Sequence, residues 1–127
     1  AASLKVPVFT VVLRKGYGLG AQAMAGGSFI STSFTIAWPT GEFGGMGLEG
    51  AVRLGFSKEL AAIEDPTAQD ARYRELVDMM YTRGKAVSVA QVLEIDAVID
   101  PAETRDWIKR GLAASKPRKS GRFVDTW

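Results

Sequence analysis

Three glycines at alternate positions, Gly16, Gly18 and Gly20, stand in "RKGYGLGAQAMAGGSF", shortly after the apolar run "VPVFTVVL". Glycine lacks the Cβ that keeps a backbone at a distance, so such a run lets main-chain amides come close to another group. If the chain leaves a strand through this turn and opens a helix, the first helical N–H groups have no partner inside the helix. They also lie at the positive end of its dipole. That arrangement holds negative charge, either a resident phosphate or an oxyanion that develops during a reaction. A third reading is plainer: the glycines only make a tight strand-to-helix connection.

The phosphate reading has a formal motif. Gly18-Leu19-Gly20-Ala21-Gln22-Ala23 fits G-x-G-x-x-[GA], and Glu42 stands about twenty residues on, where a ribose-binding acid belongs in a dinucleotide-binding module. Three features weigh against it. Arg14-Lys15 interrupts the apolar run before the first glycine, and Gly26-Gly27 ends the following helix within two turns. Glu42 follows a Trp-Pro-Thr-Gly turn and does not end a clean strand.

The elements that must position this turn are read from pattern. Val6 to Leu13 is nearly continuous apolar and β-branched, the mark of a strand covered on both faces, as in a parallel sheet. Gly16 to Gly20 is the turn and Ala21 to Ala25 a short helix. Phe34 to Trp38 reads as a second strand ended by Pro39, and Glu42 to Met46 as a short third. Leu48, Ala51, Val52 and Gly55 share one side of a helix to Phe56, which Ser57 to Ile63 continues. Asp65 caps a further helix with Pro66 at its first position, running to about Thr82 and stopped by Gly84. Its apolar face is Ala68, Ala71, Leu76, Val77, Met79 and Met80. Val87 to Leu93 reads as helix and Ala97 to Ile99 as a short strand. "DPAE" then sets Asp100, Pro101 and Glu103 as a capping box for a last helix to about Ser115. Residues 116–127 form a basic, breaker-rich tail.

Alternating strands and helices imply an α/β fold with a small, mostly parallel sheet. The first strand reads as a central one, yet few strands follow. The sheet is therefore expected to be completed by something outside these 127 residues.

Composition narrows the chemistry. The chain has no cysteine and no histidine, which removes thiolate nucleophiles, disulfides, and the commonest general base and metal ligand. No metal site is expected. Glu64-Asp65, Glu94-Asp96 and Glu103-Asp106 read as caps and solvated faces, and Met46, Met79 and Met80 as core fillers. A net charge of +2 gives little attraction for nucleic acid. With no apolar run of about 20 residues, no membrane span is expected, and the location reads as cytoplasmic.

Two linked motifs carry a resemblance. "RKGYGLGAQAM" followed by "FTIAWPTGEFGGMGLEGAV" resembles the carboxyltransferase component of biotin-dependent acyl-CoA carboxylases, the propionyl-CoA, methylcrotonyl-CoA and acetyl-CoA group. Arg14, Lys15, Tyr17 and Gly18 match its first motif. Ala37, Trp38, Pro39, Met46, Gly47, Gly50, Ala51 and Val52 match its second. "IDAVIDPAETRDWI" is similar to the family's last strand and helix. The resemblance covers roughly Val6 to Ser115.

It implies part of a crotonase-like fold, with residues 1–115 the later part of a C-terminal carboxyltransferase domain. It implies a carboxyltransferase, of transferase or ligase chemistry, that moves a carboxylate between N1 of carboxybiotin and the α-carbon of an acyl-CoA. Biotin would arrive on a separate carrier protein or domain, with a coenzyme A thioester as substrate. An N-terminal crotonase-like domain and other carboxyltransferase subunits would complete the site in a homo-oligomer, so this segment alone would be inactive.

The backbone N–H groups of Leu19 and Gly20 would form the oxyanion hole for the biotin ureido oxygen, and Gly18 would shape the turn. Tyr17, Gly18, Ala21 and Gln22 would border the cofactor. No side-chain base is required, so the missing histidine costs nothing. Leu19-Gly20 replaces the Gly-Ala of propionyl-type enzymes and is closer to the Ala-Gly of the methylcrotonyl type. Gln22 replaces an aspartate near the acyl pocket. A biotin-dependent acyl-CoA decarboxylase is the alternative within the same resemblance.

Overall fold

The computed structural model describes residues 6–116. All but the first residue of the basic tail lies outside the described residues. The opening run forms β1 over Phe9–Val12, shorter than the apolar stretch because Val6 and Leu13 are exposed. Parallel pairing joins β1 to β3 (Phe34–Ala37) and β3 to β5 (Ala97–Val98), in the order β1-β3-β5.

The central strand is thus β3, whose Thr35, Ile36 and Ala37 are fully buried. Among the described residues β1 has a neighbour on one side only, and of its four residues only Val12 is buried.

At Leu13-Arg14 the chain changes sheets. Lys15–Tyr17 form β2, which pairs in parallel with β4 (Glu42–Gly44) in the register Lys15↔Glu42, Gly16↔Phe43, Tyr17↔Gly44. Gly16 therefore lies in a strand, not in the turn. Its low strand propensity is overridden by pairing with β4, the usual outcome when tertiary context competes with intrinsic preference.

Helix α1 (Gly18–Met24) starts directly after β2, three residues earlier than its pattern suggested. It ends in a Schellman arrangement: Gly27 N–H donates to Gln22 O at 2.8 Å and Gly26 N–H to Ala23 O at 3.2 Å, which satisfies carbonyls the helix end would otherwise leave free.

The remaining helices are α2 (Leu48–Gly55), α3 (Ser57–Ala61), α4 (Pro66–Gly84), α5 (Ala86–Gln91) and α6 (Thr104–Ala114). Asp65 caps α4 as its sequence requires, accepting from Thr67 N–H and Ala68 N–H at 3.2 Å each. Asp100 accepts from Ala102 N–H at 2.8 Å and caps a 3₁₀ turn, Pro101–Glu103, ahead of α6. The reciprocal Glu103 side-chain bond of a full capping box is not made among the described residues, because the tighter turn replaces the first α-helical one.

One core cluster gathers Val12, Ala37, Phe43, Ala86, Val89 and Ile95, and so joins the two sheets through α5. Leu48 and Val52 of α2 and Leu76 of α4 are also buried. Fully burying a side chain of this size is worth about 1.5–3 kcal/mol.

The broad apolar face expected of α4 is not seen. Only Leu76 and Gly84 are buried along its 19 residues, because its neighbours cover a narrow strip. Met46, expected in the core, is 43% exposed, since it lies in the turn between β4 and α2 and precedes the first buried residue, Leu48.

Gly84 brings the end of α4 against β4. A Cβ there would stand 2.5 Å from the Phe43 carbonyl oxygen, closer than any real side chain tolerates. Beyond it Ala86 N–H donates to Gly41 O at 2.9 Å. β4 is thereby held on one edge by β2 and on the other by the α4–α5 junction.

Candidate active site

The two motifs form one structure. β2 carries "KGY" from the first and β4 carries "EFG" from the second, and the ladder between them fixes where the glycine turn emerges. Arg14 O accepts from Glu42 N–H at 2.6 Å just before the ladder begins. The Trp38 indole N–H donates to Thr104 Oγ1 at 2.9 Å, which ties the second motif to the start of α6 in the third segment.

Tyr17 ends β2 in an extended conformation, φ −109° and ψ 138°, and serves as N-cap of α1 without a side-chain cap bond. Gly18 then turns the chain with φ +64°, a left-handed value that glycine adopts without steric cost. A Cβ there would also come within 3.1 Å of the Gly45 carbonyl oxygen. The glycine is required twice over.

Leu19 and Gly20 follow as the first-turn residues of α1. Leu19 is 81% exposed, and no atom lies within 4 Å of where a Gly20 Cβ would be. Among the described residues, neither the Leu19 nor the Gly20 amide has a hydrogen-bond acceptor. Two N–H groups without a partner at a helix start can donate to an anionic oxygen. The residues present therefore fit a ligand that brings such an oxygen.

The remaining expected residues follow in the same turn: Ala21 is partly covered and Gln22 is exposed. Gln22 borders a cleft of about 620 Å³ whose walls include Phe43, Gly44, Gly45, Leu48 and Arg83. Clefts of this size accept small ligands. The Tyr17 hydroxyl donates to Glu42 Oε2 at 2.7 Å. Burial, then the bond to the carboxylate, pushes the phenol well above the usual tyrosine range, so it stays a donor. Glu42, which the dinucleotide motif would need as a ribose-binding acid, instead accepts this bond, a partner that sequence reasoning did not find.

The carboxyl transferase domain family matches residues 1–125. The chain belongs to that family. It is 41% identical over 108 residues to the methylmalonyl-CoA carboxyltransferase 12S subunit of Propionibacterium freudenreichii subsp. shermanii, covering 84% of this chain and 20% of that one. It is 34% identical over 115 residues to the carboxyltransferase subunit of propionyl-CoA carboxylase from Haloferax mediterranei, covering 90% and 22%.

Among solved structures, a single-chain, multi-domain long-chain acyl-CoA carboxylase superposes with a TM-score of 0.69 at 54% identity, over 86% of this chain and 10% of that one. The transcarboxylase 12S hexamer with methylmalonyl-CoA and methylmalonic acid bound gives 0.75 at 35% identity, over 94% and 24%. The family's crotonase-like α/β fold is therefore the fold of this chain, and carboxyltransferase chemistry is the chemistry of its family. The chain spans about a fifth of the length of the curated relatives it matches.

Proposed function

We propose that this chain supplies one half of an acyl-CoA carboxyltransferase site, the half that holds the biotin ureido oxygen. The observation that carries the reading is the pair of amides, Leu19 and Gly20, that have no acceptor among the described residues, beside the left-handed Gly18. Carboxybiotin, when bound, supplies the carboxylate and a ureido oxygen that gains negative charge as the carboxylate departs.

The two N–H groups donate to that oxygen, and the α1 dipole adds to the field they produce. Being part of a folded turn, they need no reorganisation as the charge develops. Gly18 keeps the approach free of side chains, and Gln22 and the Phe43–Gly45 segment border the space beside it. The chain has no histidine or cysteine, and this chemistry asks for neither.

The acyl-CoA is bound by an N-terminal crotonase-like domain contributed by another carboxyltransferase subunit of a homo-oligomer, and biotin is delivered on a carrier domain. Support comes from the relatives, whose names place them as subunits of acyl-CoA carboxylases and of a hexameric transcarboxylase. The turn of Gly18 to Ala23 is not a dinucleotide site on this reading: α1 is two turns long and the Glu42 carboxylate is taken by Tyr17.

The test is Gly20→Pro in the assembled holoenzyme. It deletes one donor, and a donor of this kind is worth about 3–4 kcal/mol, so carboxyl transfer should fall by about a hundredfold or more. Undiminished turnover would remove Gly20 from the site.

A further inference from the structure

The amides that face the ligand sit one and two residues beyond a glycine, the least constrained residue type. Something must fix their direction. Tyr17 makes no side-chain cap bond to α1, and no atom lies within 4 Å of a Gly20 Cβ position, so the helix start is not clamped from its outer side. The constraint comes from β2 and β4.

In a parallel pair, residues two apart share a face, which puts Lys15, Tyr17, Glu42 and Gly44 on one side of the two-stranded ribbon. Gly44 stands opposite Tyr17 and offers no side chain. The Tyr17 ring lies over it, with Cδ1 3.5 Å from where a Gly44 Cβ would be. The phenol therefore reaches back along β4 to Glu42 Oε2, in a partly buried bond of 2.7 Å. A charged acceptor makes this one of the stronger kinds of hydrogen bond.

Glu42 is itself anchored. Its N–H donates to Arg14 O at 2.6 Å, and it forms an antiparallel bridge with Lys85 at the α4–α5 junction. The Tyr17 peptide leads directly into Gly18, so the direction of the Leu19 and Gly20 N–H groups follows the torsions of Tyr17.

On the footing of the carboxyltransferase reading, we propose that Glu42 is a positioning residue for carboxyl transfer. Through the Tyr17 hydroxyl it locks the end of β2 and so aims the two amides. It touches neither substrate nor cofactor. Its effect belongs in turnover, because a small misdirection of preorganised donors is felt most where charge develops.

The experiment compares Glu42→Ala, Glu42→Gln, Tyr17→Phe and the double variant Tyr17→Phe/Glu42→Ala in the assembled holoenzyme. It reads kcat and the KM for acyl-CoA per folded protein, with Gly20→Pro run alongside. Glu42→Ala should lower kcat roughly tenfold to a hundredfold, the scale on which ångström-level misplacement acts, and leave KM for acyl-CoA unchanged. Glu42→Gln keeps an acceptor oxygen and should recover most of the loss. The double variant should be no worse than the poorer single, as for two residues acting through one bond.

Unchanged kcat in Glu42→Ala overturns the proposal, and so does a Glu42→Gln variant as slow as Glu42→Ala. If Glu42→Ala does not fold, Tyr17→Phe decides, since it removes only the hydroxyl: a tenfold loss supports the proposal and undiminished kcat overturns it. Gly20→Pro separates the two levels. Full turnover there sinks the oxyanion reading and the role of Glu42 with it. Lost turnover there beside a fully active Glu42→Ala sinks the positioning role alone.

Discussion

The corner formed by β2, β4 and the start of α1 is held differently from the helical arm of α2, α3 and α4. The corner is built from backbone: ladder bonds, a left-handed Gly18, the close approach of Gly84 to the Phe43 carbonyl, and one part-buried side-chain bond, Tyr17 to Glu42. The arm is built from side chains. Leu48, Val52 and Leu76 are its buried contacts, and its outer face carries Arg72 paired with Glu59 and Glu75 and Arg53 over the Tyr73 ring. A corner made of backbone tolerates few substitutions but can aim amides. An arm made of side chains tolerates many and aims nothing.

The sharpest way to break this contrast is Gly18→Val. A β-branched residue at φ +64° is strained, and its Cβ would press on the Gly45 carbonyl oxygen at 3.1 Å. Turnover should fall by about a hundredfold, because the donors that follow are displaced. Leu76→Ala probes the arm. It should cost about 2–5 kcal/mol of stability, read by denaturant unfolding, with kcat per folded enzyme unchanged. Equal kcat losses in the two variants would show that corner and arm are one functional unit.

Gly84→Ala lies where the two regions meet. The added methyl must displace the Phe43 carbonyl, so a loss of about 1–3 kcal/mol is expected, together with reduced turnover, since β4 carries Glu42. Stability lost with turnover intact would place Gly84 with the arm.

Tyr17 gives a pH signature. Burial and then the bond to Glu42 raise its pKa above the unfolded value. Stability from this group is therefore fully present below the ordinary tyrosine pKa of about 10, and is lost as pH rises from there through the elevated value. Thermal midpoints should fall with alkaline pH in the parent, and the fall should flatten in Tyr17→Phe. Equal pH dependence in both would mean that Tyr17 does not titrate above its unfolded value.

The smallest effect is expected at Arg72, on the exposed arm surface. Arg72→Ala should move the thermal midpoint little, and less still in high salt, because exposed ion pairs are screened.

Much of this architecture was legible because it rests on local chemistry. Asp65 before Pro66 and Asp100 before Pro101 announced their caps, and Gly26-Gly27 announced the end of α1. The second motif was legible because "WPTGEFGGMG" leaves few alternatives to a short strand between turns. What was missed depends on pairing. Gly16 reads as a turn residue until β4 is seen beside it, and Glu42 has no visible partner until the parallel register brings Tyr17 within reach. The face of α4 was overestimated for the same reason: Ala68, Ala71 and Val77 have helical spacing, but how many are covered depends on neighbours the pattern does not contain.

The most direct test of the central claim is a structure of the assembled enzyme with biotin bound at this corner. The account predicts the ureido oxygen within about 2.7–3.1 Å of both the Leu19 and the Gly20 amide nitrogens, the range of a working oxyanion hole, with the Tyr17–Glu42 bond intact beneath them. A ureido oxygen bound elsewhere, or these two amides donating to a protein acceptor in the assembly, would contradict it.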